Sequence, residues 1–216
     1  NVNIELEPAG VNIERENSAN ERLIQEEKYP KSKKFMKTYY NKNKHLIENK
    51  IECPEVYGDP AMLLPLYYKP TIEKKYKYGI IPHWSSLNEK VIEKFKDNKD
   101  VLVIKMKNYN KWTDVIDQIL SCENIISESL HGLIVAEAYG IPNIWMKIKF
   151  DTQTIKYHDF FLSLGKDVEK PFILNENVSI DDIEKWCKTY EKVNNLDLQK
   201  LIDACPFKLD LEKLKG

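Results

Sequence analysis

Between Lys77 and Ile148, short apolar runs alternate with segments whose apolar residues recur at helical spacing. The runs are typical of strands, and they are Lys77–Pro82, Val101–Met106, Asn124–Ser127 and Asn143–Ile148. The helices predicted between them are Ser86–Phe95, Lys111–Ser121 and Leu130–Tyr139. Strands that alternate with helices through short links form parallel sheets. The chain is therefore predicted to be an α/β protein with a Rossmann-like, doubly wound parallel sheet.

The sequence on either side of this alternation has a different character. Residues 1–50 are polar, with partial helices at most, and they are predicted to form an N-terminal segment distinct from a domain at 51–216. Beyond Asp151 the pattern is helical, and helices are predicted at Lys156–Leu164, Ser179–Val193 and Leu196–Ala204. Ser179 and Asp182 have the spacing of a capping box at the start of the second of these helices.

The bulk composition is that of a soluble globular protein, and it argues against several classes of function. Charged residues make up 31% of the 216 residues and the formal net charge is −1, so no basic field indicates a nucleic-acid partner. No apolar run approaches the roughly 18–20 residues that a membrane helix needs. The chain shows no signal peptide, and its four cysteines lack CxxC or zinc-ligand spacing. We therefore expect a cytoplasmic protein with reduced thiols, no metal and no membrane span.

One histidine stands at the junction between a predicted strand and the helix that follows it. His131 comes shortly after the strand end at Ser127, with Ser129 before it and Gly132 after it. In doubly wound sheets, ligands bind at the carboxyl ends of strands, and the start of a helix attracts anions. A histidine there can exchange protons near neutral pH. Two readings stay open at this point: a site for an anionic ligand, or a polar residue that caps its own turn.

Five short motifs follow one another between Ile51 and Lys208. They are YGDPAMLLP at 57–65, YGIIPHW at 78–84, ISESLHGLIVAEAYGIPNIWM at 126–146, KYHDFF at 156–161 and ACPF at 204–207. In sequence and in order they resemble the polysaccharide pyruvyl transferases, in the branch that has Ser-Leu-His-Gly at the histidine. One such motif alone is a weak signal, whereas five in the same order are specific to the family.

This resemblance implies both a fold and a reaction. Family members are similar in fold to the two-domain GT-B glycosyltransferases, so the domain at 51–216 would be one Rossmann-like half with C-terminal helices. The implied reaction takes enolpyruvate from phosphoenolpyruvate and adds it to hydroxyls of a glycan or lipid-linked sugar. The product is a pyruvate ketal on a surface glycan. No cofactor and no metal are implied, because phosphoenolpyruvate is itself the donor substrate.

The resemblance also suggests roles for particular residues. His131 and His83 are the candidate acid and base, because the alkene carbon of the donor must gain a proton and the attacking hydroxyl must lose one. The anionic donor would be held by residues of the turn and by one lysine, namely Ser127, Ser129, Gly132 and Lys156. The alternative for His83 is packing beside Trp84, and the alternative for Lys156 is a solvated surface position.

Other polar and aromatic residues near the motifs are expected to have structural roles. Asp59 is predicted to form a turn before Pro60. Glu137 is expected to be solvated. The aromatic side chains of Trp112 and Trp145 are expected to lie in the core rather than to bind sugars.

Two departures from the family pattern leave rival functions open. The position two residues before the histidine is an arginine in many members and is Ser129 here, and the N-terminal half of the family fold is not recognised in residues 1–50. An additional N-terminal domain or a homo-oligomer would complete the cleft. The alternatives are a catalytically inactive, glycan-binding relic of the family, and a nucleotide-sugar glycosyltransferase built on the same half-fold.

Overall fold

The computed structural model describes residues 56, 58–149, 154–192 and 196–204. The polar segment predicted at 1–50 lies outside these residues, as does the ACPF motif beyond Ala204. The boundary drawn at residue 51 therefore stays a prediction.

A single five-stranded sheet organises the described residues, and all of its strand pairs are parallel. The strands are β1 (Tyr76–Ile81), β2 (Val101–Val103), β3 (Cys122–Ser127), β4 (Asn143–Lys147) and β5 (Phe172–Ile173). Their order across the sheet is β2-β1-β3-β4-β5. The predicted Rossmann-like, doubly wound architecture is confirmed.

Seven α-helices connect and flank these strands in the ranges that the structure describes. They are α1 (Leu64–Tyr67), α2 (Lys90–Lys96), α3 (Trp112–Leu120), α4 (Leu130–Ala138), α5 (Ile155–Ser163), α6 (Ile180–Cys187) and α7 (Leu198–Asp203). Two short 3₁₀ helices, Pro60–Leu63 and Trp84–Ser86, precede α1 and α2. Within the same ranges, no helix combines the length and apolar character needed to cross a membrane.

The helices cover both faces of the sheet. Successive residues of a strand point to opposite faces, and Ile80 and Ile81 of β1 belong to different buried clusters. The cluster around Ile80 includes Phe95 of α2 and Ile183 of α6. The cluster around Ile81 includes Ile119 of α3 and residues of α4, and α4 also packs on α5. Helices α2 and α6 therefore lie on one face, and α3, α4 and α5 on the other.

Helix α2 begins later than the sequence predicted. The predicted start at Ser86 belongs instead to the 3₁₀ helix, and α2 begins at Lys90 with no side-chain cap from Glu89. The hydroxyl of Ser85 lies 2.8 Å from Nδ1 of His83. The two serines before α2 therefore belong to the 3₁₀ turn that follows β1, and Ser85 contacts the His83 ring there.

Other elements differ from prediction in length. Strand β2 ends at Val103 rather than Met106, and the exposure of Lys105 explains why the apolar run does not continue as a covered strand. Helix α6 ends at Cys187, where a turn closed by the bond from the Thr189 hydroxyl to the Trp186 carbonyl follows. Strand β5 was not predicted, because a strand of two residues is too short to show a periodic pattern.

Three local predictions are confirmed. Ser179 and Asp182 form a reciprocal capping box at the start of α6. The Asp59 carboxylate accepts a hydrogen bond from the Ala61 N–H and caps the first 3₁₀ helix. The Trp145 side chain is buried.

The prediction for Trp112 is wrong. Its side chain is 55% exposed, although the residues that follow it at helical spacing are buried. Trp112 is the first residue of α3, so its side chain projects past the edge of the packed layer and meets Tyr68 edge to face at a centroid distance of 5.4 Å.

Candidate functional site

The strand order places a crevice between β1 and β3. From β1 the chain passes through α2 to β2 on one side, and then through α3 to β3 on the other side. In open α/β sheets, ligands bind outside the carboxyl ends of the strands at the point where the order reverses in this way. His83 follows the end of β1, and His131 follows the end of β3, so both histidines lie on segments that leave this point.

A buried carboxylate joins the ends of three strands at this edge. Glu128 is 4% exposed. Its two carboxylate oxygens accept hydrogen bonds from the N–H of His83 at 2.9 Å and the N–H of Ile148 at 3.1 Å. Its own N–H donates to the Ile81 carbonyl at 2.8 Å, and its carbonyl accepts from the Tyr157 hydroxyl at 2.7 Å. Glu128 thus fixes the exits of β1 and β4 relative to β3.

The turn between β3 and α4 is built on hydrogen bonds between two serines. The Ser127 hydroxyl donates to the Ser129 carbonyl at 2.8 Å and accepts from the Ser129 N–H at 3.0 Å. Ser129 is the N-cap of α4 in an extended conformation, and its side chain makes no capping bond. The first bond of the helix runs from the Leu133 N–H to the Ser129 carbonyl. The preceding N–H groups therefore form the positive start of the helix, which favours anions.

Gly132 allows the helix to approach the sheet. A Cβ at this position would lie 2.5 Å from Ser127 Oγ and 2.8 Å from Cδ1 of Ile81. Real Cβ atoms do not approach other heavy atoms so closely. The glycine therefore keeps the serine turn and the first turn of α4 in contact.

The two histidines have different surroundings. His131 is exposed on the first turn of α4. His83 is half-buried, and its Nδ1 lies 3.4 Å from the Ser85 N–H that donates to it. Because Nδ1 accepts this bond, the proton of the neutral ring is assigned to Nε2. The ring also packs against Trp84 at a centroid distance of 5.4 Å, as the packing alternative predicted, and the acid–base role of His83 stays a prediction.

Two lysines lie near the end of β4, and the sequence analysis identified only one of them. Lys156 is exposed on the first turn of α5, with Nζ 5.3 Å from the centroid of the Tyr157 ring. Lys147 is the last residue of β4, is 4% exposed, and has Nζ 5.1 Å from the same centroid. Ser127 is paired with Trp145, so Lys147 lies two residues beyond this pair, at the carboxyl end of β4.

The sequence contains signals for the two residues that were missed. Glu128 and Lys147 are the charged residues that directly end the apolar runs of β3 and β4. A charge placed directly at the carboxyl end of a buried strand is a candidate for a role at the edge of the sheet. The pairing of Glu128 with two N–H groups depends on distant segments, and no local pattern predicts it.

An aromatic layer supports this edge from the side of α5. The rings of Trp145 and Tyr157 are stacked at a centroid distance of 4.7 Å, and His158 meets Trp145 edge to face at 5.3 Å. Burial lowers the pKa of the His158 imidazole below its usual value. The indole N–H of Trp145 is buried without a hydrogen-bond partner in the described structure. These rings hold α5 against β4 rather than facing the crevice.

Glu137 is buried, so the expectation that it is solvated is wrong. It lies at the end of α4, at the opposite edge of the sheet, and is 6% exposed. Its carboxylate pairs with Lys166 and accepts hydrogen bonds from the Asn143 amide at 2.9 Å and the Tyr190 hydroxyl at 3.2 Å. Hydrophobic periodicity could not reveal this network, because its partners follow α5 and α6.

The thiols and carboxylates do not assemble into a metal site in the described ranges. No group of three or more His, Cys, Asp or Glu side chains there is placed to hold a metal ion. Cys122 and Cys187 are free thiols. Burial raises the pKa of Cys122 to about 11 and that of Cys187 to about 12.

A family model matches the part of the chain that contains this edge. The family described as polysaccharide pyruvyl transferase matches residues 30–149, which is more than half of the chain and includes both histidines. An uncharacterized protein of Acanthamoeba polyphaga mimivirus is 32% identical over 140 residues, which cover 60% of this chain and 48% of that protein.

A second curated relative has a stated role. The succinoglycan biosynthesis protein ExoV of Rhizobium meliloti (strain 1021) is 31% identical over 108 residues, which cover 50% of this chain and 34% of that protein. The chain thus matches between about a third and about half of the length of these two relatives. No solved structure matches the chain.

Proposed function

The chain belongs to the polysaccharide pyruvyl transferase family, and on that premise we propose that it transfers a pyruvyl group from phosphoenolpyruvate to hydroxyls of a glycan. The observation that carries the proposal is that two histidines follow the carboxyl ends of the adjacent strands β1 and β3. His83 and His131 lie on the segments that leave β1 and β3, where the strand order reverses. The succinoglycan role of one relative supports a polysaccharide as the acceptor.

The proposed reaction needs groups that donate and accept protons. The methylene carbon of phosphoenolpyruvate takes one proton and becomes a methyl group, which leaves an oxocarbenium-like centre at the adjacent carbon. Two hydroxyls of the sugar form C–O bonds to that carbon, and the C–O bond to phosphate breaks. The hydroxyls release two protons, of which one replaces the proton that was donated and the other leaves with hydrogen phosphate. Imidazole groups can perform both transfers near neutral pH.

The start of α4 is the proposed binding site for the anionic donor. Its N–H groups and the Ser129 hydroxyl would contact the phosphate or the carboxylate, since the helix start favours negative charge. The Ser127 hydroxyl is already bonded to the Ser129 backbone, so Ser127 would act by shaping the turn. Gly132 would keep this turn close to the sheet. Lys156 would approach the donor from α5 as a mobile point charge.

Lys147 would add a fixed positive charge to the same site. It lies at the carboxyl end of β4, the strand adjacent to β3. Its burial under the Tyr157 ring limits its motion. A cation held in a region of low dielectric interacts more strongly with an anion than one in water does.

The proposal is tested by measuring phosphate release from phosphoenolpyruvate with a panel of galactosides, glucosides and mannosides. We expect release that requires an acceptor in the wild-type chain. Replacing His131 or His83 by alanine should lower the rate by roughly 10²–10⁴-fold, which is the usual contribution of a general acid or base. Ketal formation is checked by the new methyl resonance in the NMR spectrum of the product.

The control is the stability of the same variants. His131 is exposed, so His131→Ala should change the free energy of unfolding by no more than about 0.5 kcal/mol. Release that persists unchanged in both histidine variants would remove the assigned roles. The absence of both release and donor binding, the latter measured by calorimetry, would refute the transfer activity of this chain.

A further inference from the structure

Exposed aromatic rings are concentrated at the same edge of the sheet as the two histidines. Trp84 is 60% exposed, more than any other large hydrophobic side chain in the described ranges. It lies three residues beyond the end of β1 and directly after His83. Tyr109, which is 50% exposed, follows β2. Large rings left in water at a ligand-binding edge indicate a surface that a ligand covers.

Contacts hold the Trp84 ring on the β2 side of the crevice. Lys107, on the segment that follows β2, has Nζ 4.7 Å from the centroid of the indole, a cation–π distance. The His83 ring is tilted by 47° to the indole at a centroid distance of 5.4 Å, and the Trp84 side chain remains 60% exposed beside these two contacts. Strands β2 and β3 lie on opposite sides of β1, so the Lys107 partner of Trp84 and the serine turn follow strands on opposite sides of β1. His83, which follows β1, therefore lies on the segment between those that follow β2 and β3.

We propose that Trp84 and Lys107 form the subsite for the acceptor sugar, with the apolar face of a pyranose stacked on the indole. The inference deepens the proposed function and rests on it. A pyranose has one face of C–H groups and a periphery of hydroxyls. An exposed indole can cover the C–H face of the sugar while the hydroxyls stay in contact with water. Aromatic side chains commonly provide such amphipathic contacts. The Lys107 ammonium group supplies a donor for the hydroxyls.

This arrangement separates the two substrates along the sheet. The donor binds at the start of α4, on the β3 side, and the acceptor binds on the β2 side. His83 lies between them, with Nδ1 bonded at Ser85 and Nε2 left to act on a substrate. The acceptor hydroxyl would thus approach the donor carbon from the direction of Trp84, past the ring that can exchange its proton.

Sugar binding can be measured without the donor and without turnover. Saturation-transfer NMR on the full chain would use methyl β-D-galactopyranoside, methyl β-D-glucopyranoside and methyl α-D-mannopyranoside as separate probes. We expect saturation of the C–H protons on one face of at least one probe. Trp84→Ala should weaken its binding by roughly tenfold, and Trp84→Phe, which keeps a ring, by about threefold or less.

The chain offers a matched control. Tyr67 is 51% exposed, and the carbonyl of the next residue, Tyr68, accepts a hydrogen bond from the hydroxyl of Tyr139 at the end of α4, the opposite edge of the sheet, so Tyr67→Ala should leave binding unchanged. Binding that is equal in wild type and Trp84→Ala, or that falls equally in Tyr67→Ala, would overturn the subsite. A wild-type chain that saturates none of the three probes would overturn it as well. An unchanged unfolding midpoint in Trp84→Ala shows that the fold is intact.

The two proposals fail in different ways. Sugar binding that depends on Trp84, with no phosphate release from phosphoenolpyruvate, would retain the subsite and remove the transfer. Acceptor-dependent phosphate release with the same acceptor KM in Trp84→Ala would retain the transfer and remove the subsite.

Discussion

At position 132, the backbone of α4 comes too close to the strands for any side chain. The nearest atoms to an added Cβ are Ser127 Oγ at 2.5 Å and Ile81 Cδ1 at 2.8 Å. We expect Gly132→Ala to lower the free energy of unfolding by about 1–3 kcal/mol, the usual cost of overpacking. The loss should occur even though alanine is the better helix former by about 1 kcal/mol. Urea unfolding followed by circular dichroism measures it.

Three further variants separate overpacking from backbone strain. Gly140 has φ of +68° and open space around its added Cβ, so Gly140→Ala should be destabilising through its backbone alone, and Gly140→Asn less so. Combining Gly132→Ala with Ser127→Ala removes the closest atom, so the two losses should sum to more than the loss of the double variant. An unchanged midpoint in Gly132→Ala would contradict this account.

At the scale of single residues, sequence patterns predicted the positions of the candidate residues in the elements but not the contacts that these residues make. The spacing placed His131, Ser129 and Gly132 at the start of a helix, and the structure has them there. The contact of Gly132 with Ile81 depends on a strand some fifty residues earlier, so no local pattern contains it. The exposure of Trp112 was missed for a similar reason, since periodicity does not show where the packed layer ends.

Glu128 acts on whole elements, because it fixes how two strands end relative to a third. Glu128→Ala would leave the partly buried N–H groups of His83 and Ile148 without their acceptor, at a cost of up to about 1–3 kcal/mol for each. Glu128→Gln keeps one acceptor oxygen and should lose less. We expect faster hydrogen exchange at these two amides in Glu128→Ala, and NMR measures it residue by residue.

The comparison for this prediction lies on the same strand. Glu123 is an exposed carboxylate of β3, so Glu123→Ala should change neither the stability nor the exchange of the two amides. If Glu128→Ala and Glu123→Ala behave alike, the hydrogen bonds of Glu128 do not hold the strand ends.

Sequence patterns predicted the type of most elements and missed the ends of several. The alternation of strands and helices is a periodic signal, which is why β1, β3, α3 and α4 were recovered closely. Element ends depend on contacts made elsewhere. The Ser85 hydroxyl lies within hydrogen-bonding distance of the His83 ring and does not cap a helix at this point. Helix α2 begins only at Lys90.

Across the whole molecule, one buried network ties the C-terminal segments to the sheet. Lys166 follows α5, Tyr190 follows α6, and both reach the Glu137 carboxylate at the end of α4. We expect Lys166→Met to cost about 3–5 kcal/mol, because it leaves a buried carboxylate without its cation. Thermal unfolding monitored by circular dichroism should show the loss as a lower midpoint.

Two comparisons test whether the buried charge is the cause. Adding Glu137→Gln to Lys166→Met removes the uncompensated charge and keeps an acceptor for the Asn143 amide, so most of the stability should return. Lys188 pairs with Glu184 at the exposed surface of α6, and Lys188→Met should produce no measurable change. Equal losses from Lys166→Met and Lys188→Met would show that burial of the pair is not what matters.

The order of the strands is a property of the whole chain that local patterns could not supply. Alternating elements predicted a parallel sheet, but the crevice exists only because β2 and β3 lie on opposite sides of β1. Because the strands are parallel, their carboxyl ends lie at one edge, and this order sets the segments after residues 103, 81 and 127 side by side there.

The way in which Glu128 holds this edge has a consequence for how such a site can diverge. Both carboxylate oxygens of Glu128 accept hydrogen bonds from main-chain N–H groups. These bonds therefore do not depend on which side chains stand at positions 83 and 148. Any residue except proline presents the same donor. Substitutions at Ile148 can therefore change the lining of this edge while the scaffold is inherited unchanged, whereas at position 83 the same freedom is limited by the acid–base role proposed for the imidazole.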